Sequence, residues 1–185
     1  MYTFGDCTNS DNRNVFGLNL IMNTADIVTT LAEILQSKNW KMAAAESCTG
    51  GLVCANLTEI SGSSEWFERG YITYSNEAKM ECLGVPGKLL EAFGAVSEEV
   101  AKAMAEGAQV NAGVNAALSI TGIAGPSGGS KEKPVGMVCF AWAIRSDAGD
   151  NRVITKTMHF DGDRQKVRQQ ACDYALRELA KLLEN

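Results

Sequence analysis

Hydrophobic residues along this 185-residue chain alternate between helical spacing and short continuous apolar runs. From Thr24 onward, apolar residues recur three and four positions apart as far as Leu35, which predicts an amphipathic helix. The apolar run Met42–Ala45 follows, and it predicts a buried strand over Lys41–Ala45. The run stops at Glu46-Ser47, and helical spacing resumes to about Ile60. This region therefore predicts a helix, a buried strand, a sharp turn and a second helix.

The rest of the chain continues the alternation of strand and helix patterns. Ser97 followed by two glutamates predicts a helix start, because a serine cap and acidic residues both suit the first helical turn. The nearly unbroken apolar run from Val135 to Ile144 is typical of a central strand covered on both faces. The more alternating stretch from Arg152 to Phe160 predicts the second strand of an antiparallel hairpin. The other predicted elements are strands at Trp66–Ser75 and Ala116–Ile120, short helices at Glu77–Leu83 and Leu89–Phe93, and a last helix that opens at Asp161-Gly162-Asp163-Arg164.

This order of elements predicts an α/β fold, namely a three-layer α/β/α sandwich with a mixed, mostly parallel sheet. The length suits one domain with a substantial core, and no internal repeat or linker interrupts it. We therefore expect a single domain over residues 24–185, preceded by a polar, asparagine-rich extension over residues 1–23.

Composition narrows the classes of partner and location. Seventeen basic against 22 acidic residues give a net charge of −5 without a basic stripe, which argues against a nucleic-acid partner. No apolar run is long enough to span a membrane, and the first residues lack the basic start of a signal peptide, so we expect a cytoplasmic protein with no membrane partner. The six scattered cysteines form no CxxC pair and are predicted to be buried free thiols. One histidine and no regular carboxylate cluster give little support for a metal.

Three polar clusters follow predicted strands: Glu46-Ser47, Tyr74-Ser75-Asn76 and Thr121-Gly122. Ligands of open α/β sheets usually bind in the crevice at the carboxyl ends of the strands. We therefore expect the three clusters to converge on one site.

Ser47 lies on the predicted turn between strand and helix, where backbone N–H groups and the helix dipole favour negative charge. This position makes Ser47 a candidate nucleophile, with the N–H groups from Thr49 to Gly51 as candidate donors to an oxyanion. A helix cap at Ser47 or Thr49 is the commoner role for such residues. Cys48 is a rival nucleophile, because a thiol at a helix N-terminus is activated.

A serine hydroxyl needs a base to take its proton. The only histidine, His159, is predicted near the end of the hairpin strand and away from the three clusters, so a Ser-His-Asp triad is not favoured. Lys79 lies five residues after Tyr74 on the next short helix and could serve as the base if burial lowers its pKa. On spacing alone, a solvated helix lysine is the commoner outcome. Tyr74 could donate a hydrogen bond to the substrate or relay the proton.

Two further segments are candidates for contact with a phosphate. The glycine-rich loop over residues 122–130 offers backbone N–H groups, but it matches no established phosphate-binding pattern, so a mobile connector is the alternative. Arg164, at the start of the last helix, could pair with a phosphate through two hydrogen bonds, or could lie exposed near the helix cap.

Five motifs in this order resemble the CinA C-terminal domain family, whose characterised enzymatic members are nicotinamide-nucleotide amidases. The resemblance runs from about residue 25 to the C-terminus, and it is to the stand-alone form of the domain. Five motifs in the right order are far more specific than any one of them. The motifs are Ala45-Glu46-Ser47-Cys48-Thr49-Gly50-Gly51, Gly70 with Tyr74–Lys79, Gly94-Ala95-Val96-Ser97, Thr121–Gly129 and Lys133-Pro134-Val135-Gly136.

The resemblance implies that the chain hydrolyses the carboxamide of nicotinamide mononucleotide (NMN) to nicotinic acid mononucleotide and ammonia, with no metal or ATP. It implies Ser47 as the nucleophile with Tyr74 and Lys79 as its proton-handling partners, and it suggests a homodimer or larger assembly. The alternative function is a non-catalytic pyridine-nucleotide-binding or partner-binding module that uses the same crevice. The residues predicted to bind the substrate are Thr49, Gly50, Gly51, Thr121, Gly122 and Arg164.

Overall fold

The computed structural model describes residues 23–184, in which five strands form one sheet between layers of helices. Apart from Asn23, the predicted polar extension lies outside the described residues. Asn23 caps the first helix, because its side-chain oxygen accepts a hydrogen bond from the N–H of Asp26. The first helix therefore begins where its apolar spacing predicted.

The strands and helices alternate as predicted, with ends that differ by a few residues. Ser97 caps α5 through a hydrogen bond from the Val100 N–H, which confirms the predicted helix start. One turn of 3₁₀ helix at Ser63–Glu65 occupies the predicted loop before the second strand. The helices are α1 (Thr24–Ser37), α2 (Leu52–Thr58), α3 (Asn76–Leu83), α4 (Gly87–Phe93), α5 (Glu98–Ala112) and α6 (Arg164–Glu184), and the strands are β1 (Met42–Glu46), β2 (Phe67–Ile72), β3 (Ala116–Gly122), β4 (Met137–Arg145) and β5 (Asn151–His159).

The sheet has the strand order β2-β1-β3-β4-β5. Strand β1 pairs in parallel with β2 and β3, whereas β4 is antiparallel to both β3 and β5. Four of the five strands therefore run in one direction, and the predicted α/β fold with a mixed sheet is confirmed. The predicted β4–β5 hairpin is also confirmed, and β4 is buried along almost its whole length.

The two faces of the sheet are packed with side chains of different size. Helices α1, α2 and α6 cover one face around an aromatic group in which Phe140 stacks on Trp142 with ring centroids 5.8 Å apart. Helix α5 covers the other face, where the facing side chains are small, so the helix lies close to the sheet. These small residues are Ala101, Ala105 and Ala108 of α5 and Ala43, Ala45, Ala117, Ala141 and Ala143 of the sheet.

Helices α3 and α4 lie beside α5, and the contact of α3 with α5 depends on Gly107. A Cβ atom at Gly107 would lie 2.0 Å from the carbonyl oxygen of Leu83, the last residue of α3. Only a glycine lets the two helix backbones approach this closely. The packing at Gly107 therefore fixes where α3 sits on the domain.

The five cysteines of the described region are all free. Cys48, Cys139 and Cys172 are buried as predicted, Cys54 is half-buried, and Cys82 is exposed. The prediction of a buried thiol is therefore wrong for Cys82. Among residues 23–184, no helix combines the length and the apolar character that crossing a bilayer requires.

Candidate active site

A cavity of about 320 Å³ opens at the carboxyl ends of the parallel strands. Glu46 at the end of β1 pairs with Ile72 of β2 on one side and with Ile120 of β3 on the other. This register brings the ends of three neighbouring strands to one edge of the sheet. The three polar clusters predicted to converge therefore do so. The cavity is lined by Ser47, Cys48, Tyr74, Lys79, Ala95, Val96, Thr121, Gly122, Ile123, Ala124, Gly125, Ser127, Gly128 and Arg164.

Ser47 and Lys79 are in direct contact at the base of this cavity. The Nζ atom of Lys79 lies 3.0 Å from the Oγ atom of Ser47, and both side chains are buried, with exposed fractions of 1% for Lys79 and 8% for Ser47. A fully buried lysine is rare unless its charge is paired. The solvated helix lysine is therefore excluded for Lys79.

Lys79 reaches Ser47 because Ser75 starts α3. The Ser75 hydroxyl accepts a hydrogen bond from the Ala78 N–H, so the helix begins there and Lys79 lies one turn in. Its side chain then points back over the β2–α3 connection, where Nζ donates to the carbonyl oxygen of Thr73 at 2.8 Å. The carbonyl oxygens of Tyr74 and Ser75 lie farther from Nζ, at 3.4 Å each.

The surroundings of Lys79 favour a neutral amine. Burial lowers its pKa, because moving an ammonium out of water disfavours the charged form. The backbone carbonyls favour the ammonium in part, but no carboxylate of residues 23–184 lies within ion-pair distance of Nζ. A neutral amine retains two N–H groups for carbonyls and one lone pair that can accept the proton of the Ser47 hydroxyl.

The turn that carries Ser47 is closed by backbone hydrogen bonds and by the side chain of Glu46. The Ser47 N–H donates to the carbonyl of Ile120, and the Gly50 N–H donates back to the carbonyl of Ser47. The Glu46 carboxylate is fully buried and accepts from the N–H groups of Gly51 and of two residues in the first turn of α2. Glu46 therefore caps α2 from the strand that precedes it.

This arrangement changes the prediction that Thr49, Gly50 and Gly51 bind the substrate or hold an oxyanion. None of the three lines the cavity, and the N–H groups of both glycines already have acceptors. Their positive φ angles, 59° for Gly50 and 96° for Gly51, instead serve the tight turn. In the described part of the chain, the N–H groups of Cys48 and Thr49 donate to no oxygen atom. Of the two residues, Cys48 lines the cavity and Thr49 is fully buried, so the Cys48 N–H is the one that lies beside a bound ligand.

Cys48 is not an activated thiol. Its side chain is 6% exposed, and burial, with a further contribution from the charge of Glu46, raises its pKa to about 12. The thiol is therefore protonated near neutral pH, and only the thiolate is a good nucleophile. Ser47, unlike Cys48, has an amine in contact with its side chain.

Tyr74 and Arg164 meet at the mouth of the cavity. The Tyr74 side chain is 63% exposed, and its hydroxyl accepts a hydrogen bond from Nη2 of Arg164 at 3.1 Å. Nη1 of Arg164 donates to the carbonyl of Gly125 at 2.9 Å, so the guanidinium bridges two walls of the cavity. The Tyr74 hydroxyl makes no hydrogen bond to Lys79 or Ser47 in this structure. The contact of Tyr74 with the lysine is made by its backbone.

Thr121 and Gly122 form the wall opposite α3. The Thr121 hydroxyl donates to the carbonyl of Ala95 at 2.8 Å, which ties β3 to the loop before α5. A Cβ atom at Gly122 would lie 2.8 Å from the Val138 side chain, so β4 packs directly on this glycine. Two backbone hydrogen bonds join the glycine-rich loop that follows to the start of β4. The Ile123 N–H donates to the carbonyl of Met137, and the Gly136 N–H donates to the carbonyl of Ile123.

His159 lies outside the cavity, at the end of β5, with half of its side chain exposed and Asp161 4.0 Å away. The structure therefore agrees with the prediction that it serves no triad. The cavity lining holds two basic side chains, Lys79 and Arg164, and no acidic one. Within residues 23–184, no group of His, Cys, Asp and Glu residues is arranged to hold a metal ion.

Sequence reasoning missed the roles of Glu46 and Arg168. The sequence places Glu46 in a polar cluster but does not predict its contacts with α2. It predicts no role for Arg168, although this residue lies one helical turn after Arg164 and so on the same face of α6. Its guanidinium donates to the carbonyl of Thr49 at 2.6 Å. The four-residue spacing of the two arginines was the signal that could have identified it.

Comparison with known proteins gives consistent matches over this domain. The model of the CinA C-terminal domain matches residues 24–183. The chain is 49% identical over 151 residues to the nicotinamide-nucleotide amidohydrolase PncC of Enterobacter agglomerans, covering 82% of this chain and 90% of that protein. It is 52% identical over 153 residues to a CinA-like protein of Syntrophobacter fumaroxidans, but this match spans only 35% of that longer protein. The crystal structure of the competence damage-inducible protein A from Klebsiella pneumoniae superposes with a TM-score of 0.83 at 35% identity, covering 89% of this chain and 99% of that one.

Proposed function

The chain belongs to the CinA C-terminal domain family, and on that premise we propose that it is an amidohydrolase that deamidates NMN to nicotinic acid mononucleotide and ammonia. The name of the Enterobacter agglomerans relative, a nicotinamide-nucleotide amidohydrolase, supports this substrate. The observation that carries the proposal is the buried contact of 3.0 Å between Lys79 Nζ and Ser47 Oγ.

Lys79 acts as the general base in the first step. The neutral amine accepts the proton of the Ser47 hydroxyl, and the Oγ atom attacks the carbonyl carbon of the carboxamide. The resulting oxyanion accepts a hydrogen bond from the N–H group of Cys48, which lines the cavity and donates to no oxygen atom of the turn. The negative charge forms beside a newly protonated Lys79, which stabilises it further.

Lys79 also supplies the proton that the leaving group needs. The C–N bond breaks, the departing nitrogen takes the proton from the Lys79 ammonium, and ammonia leaves an acyl ester on Ser47. A water molecule then attacks the ester carbonyl while Lys79 takes one of its protons. The C–O bond to Ser47 breaks, the serine regains its proton from Lys79, and the carboxylic acid is released.

The charges of the cavity suit a phosphorylated substrate. Its lining has no carboxylate to repel a phosphate, and Arg164 offers a planar guanidinium at the mouth. We propose that Arg164 binds the phosphate end of the substrate while Tyr74, held by the same guanidinium, borders the pyridine ring. Thr121 and Gly122 form the wall along which the carboxamide approaches Ser47.

The test is ammonia release from NMN by the wild type and by the Ser47→Ala and Lys79→Met variants. We expect both variants to lose nearly all turnover, because each removes one partner of the same proton transfer. Lys88→Met, an exposed lysine of α4, is the matched control and is expected to retain full activity. Undiminished activity of Ser47→Ala would refute this assignment of roles, and loss of activity only in Cys48→Ser would assign the chemistry to the thiol.

Thermal unfolding with NMN separates the enzyme from the binding module. A wild type that NMN stabilises but that releases no ammonia is a binding module. The cytoplasmic location, the homodimer or larger assembly, and the extent of the domain over residues 24–185 stay predictions. Small-angle scattering in solution measures the assembly.

A further inference from the structure

The turn that carries Ser47 is held from two sides by charged side chains that do not line the cavity. Glu46 belongs to β1 and acts on the N–H groups of the turn and of α2. Arg168 belongs to α6 and acts on a carbonyl of the same turn. The two residues approach from different elements, and neither has a role in the proposed reaction.

Glu46 makes more backbone contacts than an ordinary helix cap. One carboxylate oxygen accepts from Gly51 at 2.8 Å and Val53 at 3.2 Å, and the other accepts from Cys54 at 2.9 Å. The carboxylate is fully buried, and hydrogen bonds from N–H groups to a charged acceptor are about twice as strong as neutral ones. Because α2 has only seven residues, such a short helix needs contacts of this kind to stay formed.

Arg168 reaches the turn from α6. Its Nη2 atom donates to the Thr49 carbonyl at 2.6 Å, and the Cβ of a residue at position 50 would lie 3.6 Å from the same atom. Its Nε atom is buried and has no acceptor among residues 23–184. A buried donor without an acceptor is unfavourable, so the position of Arg168 is not optimal for stability alone.

We propose that Glu46 and Arg168 are positioning residues that clamp the turn from Ser47 to Gly51 and thereby hold the Ser47 hydroxyl in line with Lys79. This inference rests on the proposed function of Ser47 as the nucleophile. Glu46 fixes the N–H side of the turn and Arg168 fixes its carbonyl side. With both in place, the turn can neither rotate about β1 nor move away from α6.

The clamp explains why the helix N-terminus does not itself serve the reaction. The N–H groups at the start of α2 donate to Glu46, and the N–H group that remains beside the cavity is that of Cys48, the residue next to Ser47 in the chain. The charge of Glu46 also opposes ionisation of the neighbouring Cys48. The same contacts therefore position the serine and keep the thiol beside it protonated.

The experiment uses Glu46→Gln, Arg168→Lys and the double variant, with Glu98→Gln and Arg177→Lys as matched controls. Glu98 is a hydrogen-bonded glutamate outside the cavity, and Arg177 lies on the same helix as Arg168. For each variant, kcat and KM for NMN are measured, together with backbone amide hydrogen exchange of residues 47–58.

We expect kcat to fall about 10- to 100-fold in each clamp variant, since a misplacement of about 1 Å in a reacting group costs about that much. KM is expected to stay within about twofold, because neither side chain touches the substrate. Amide exchange over residues 47–58 is expected to accelerate. The double variant is expected to lose less than the product of the single losses, because both residues hold the same turn. Both controls are expected to retain the wild-type kcat, and Arg177→Lys is also expected to retain the wild-type exchange.

The outcomes separate this inference from the proposed function. Folded clamp variants with wild-type kcat and exchange would overturn the clamp while leaving the amidase intact. A raised KM with unchanged kcat would also overturn it, because that result indicates direct substrate contact. A wild type that releases no ammonia refutes the proposed function, and the exchange measurement alone then decides the clamp. Should Glu46→Gln fail to fold, Arg168→Lys decides.

Discussion

Replacing Gly107 by alanine should damage both stability and catalysis, although alanine is ordinarily the better residue in a helix. A Cβ atom at this position would lie 2.0 Å from the Leu83 carbonyl oxygen and 2.9 Å from its carbonyl carbon. The contact is with backbone, so no side-chain rotation can relieve it. The end of α3 must retreat by about 1.4 Å to reach ordinary van der Waals distance.

The expected magnitudes follow from this displacement. Alanine gains about 1 kcal/mol in helix propensity over glycine, whereas overpacking of a well-packed contact costs about 3 kcal/mol at the upper end of its usual range. We expect a net loss of about 2 kcal/mol in the free energy of unfolding and a fall in Tm of about 4–8 °C. Since α3 carries Lys79, kcat should fall about tenfold or more as the amine moves away from Ser47.

Urea and thermal unfolding measure the stability, and ammonia release from NMN measures kcat. Gly87→Ala is the matched control, because a Cβ there would meet only the flexible Met80 side chain, with its sulfur at 3.3 Å. A Gly107→Ala protein with a Tm equal to or above that of the wild type and an unchanged kcat would refute the reasoning. A fall in Tm alone would refute the link between this packing contact and the position of Lys79.

Three further predictions concern the base, a hydrogen-bonded carboxylate and a second close glycine. The proposed mechanism uses Lys79 as a neutral amine, and burial lowers its pKa from 10.5, so kcat measured from about pH 6 to about pH 10 should rise with pH; a fall over this range would contradict a neutral-amine base. The carboxylate of Glu98 accepts hydrogen bonds of 2.6 and 2.7 Å from two threonines of β5, which lower its pKa below 4.5. Its ionised form therefore stabilises the fold above about pH 4.5, and this contribution disappears as the pH falls. Glu98→Gln should lower the free energy of unfolding, measured with urea at neutral pH, by about 1–2 kcal/mol. A difference from the wild type that stays the same at acid pH would disprove the assignment. Gly70→Ala should destabilise the protein, because the new Cβ would lie 2.1 Å from the sulfur of Cys54; adding Cys54→Ala should restore part of the lost Tm, and no recovery would place the strain elsewhere.

The sequence predicted those parts of the fold in which local pattern and tertiary structure agree. The apolar run through β4 and the serine cap at Ser97 depend on residues close together in the chain, and both are present. The convergence of the strand ends was predictable too, because parallel strands place their carboxyl ends at one edge. Lys79 was identified from its spacing after Tyr74, and the structure gives that spacing its physical meaning through the Ser75 cap.

The sequence could not predict which partners the N–H and carbonyl groups of the turn bind. The pattern around Ser47 indicates that N–H groups gather there, but whether they face a ligand or a side chain depends on the rotamer of Glu46. That rotamer is fixed by burial between β1 and α2, which no local pattern reveals. The same limit applies to Arg168, whose partner lies 119 residues earlier in the chain. The exposed Tyr74 hydroxyl is a third example, since its bond to Arg164 depends on where α6 begins.

The alanine contact between α5 and the sheet gives the two layers unequal tolerance to sequence drift. On the aromatic side, a lost methylene on one residue can be offset by a larger neighbour, because total volume is what must be conserved there. The residues that face Ala105 and Ala141 are already small, so they cannot shrink to make room for a larger side chain. Only glycine or serine could therefore replace Ala105 or Ala141 without pushing the helix outward. Directed evolution of this scaffold should therefore accumulate its substitutions beneath α1 and α6, while the layer that backs the reaction centre stays nearly fixed.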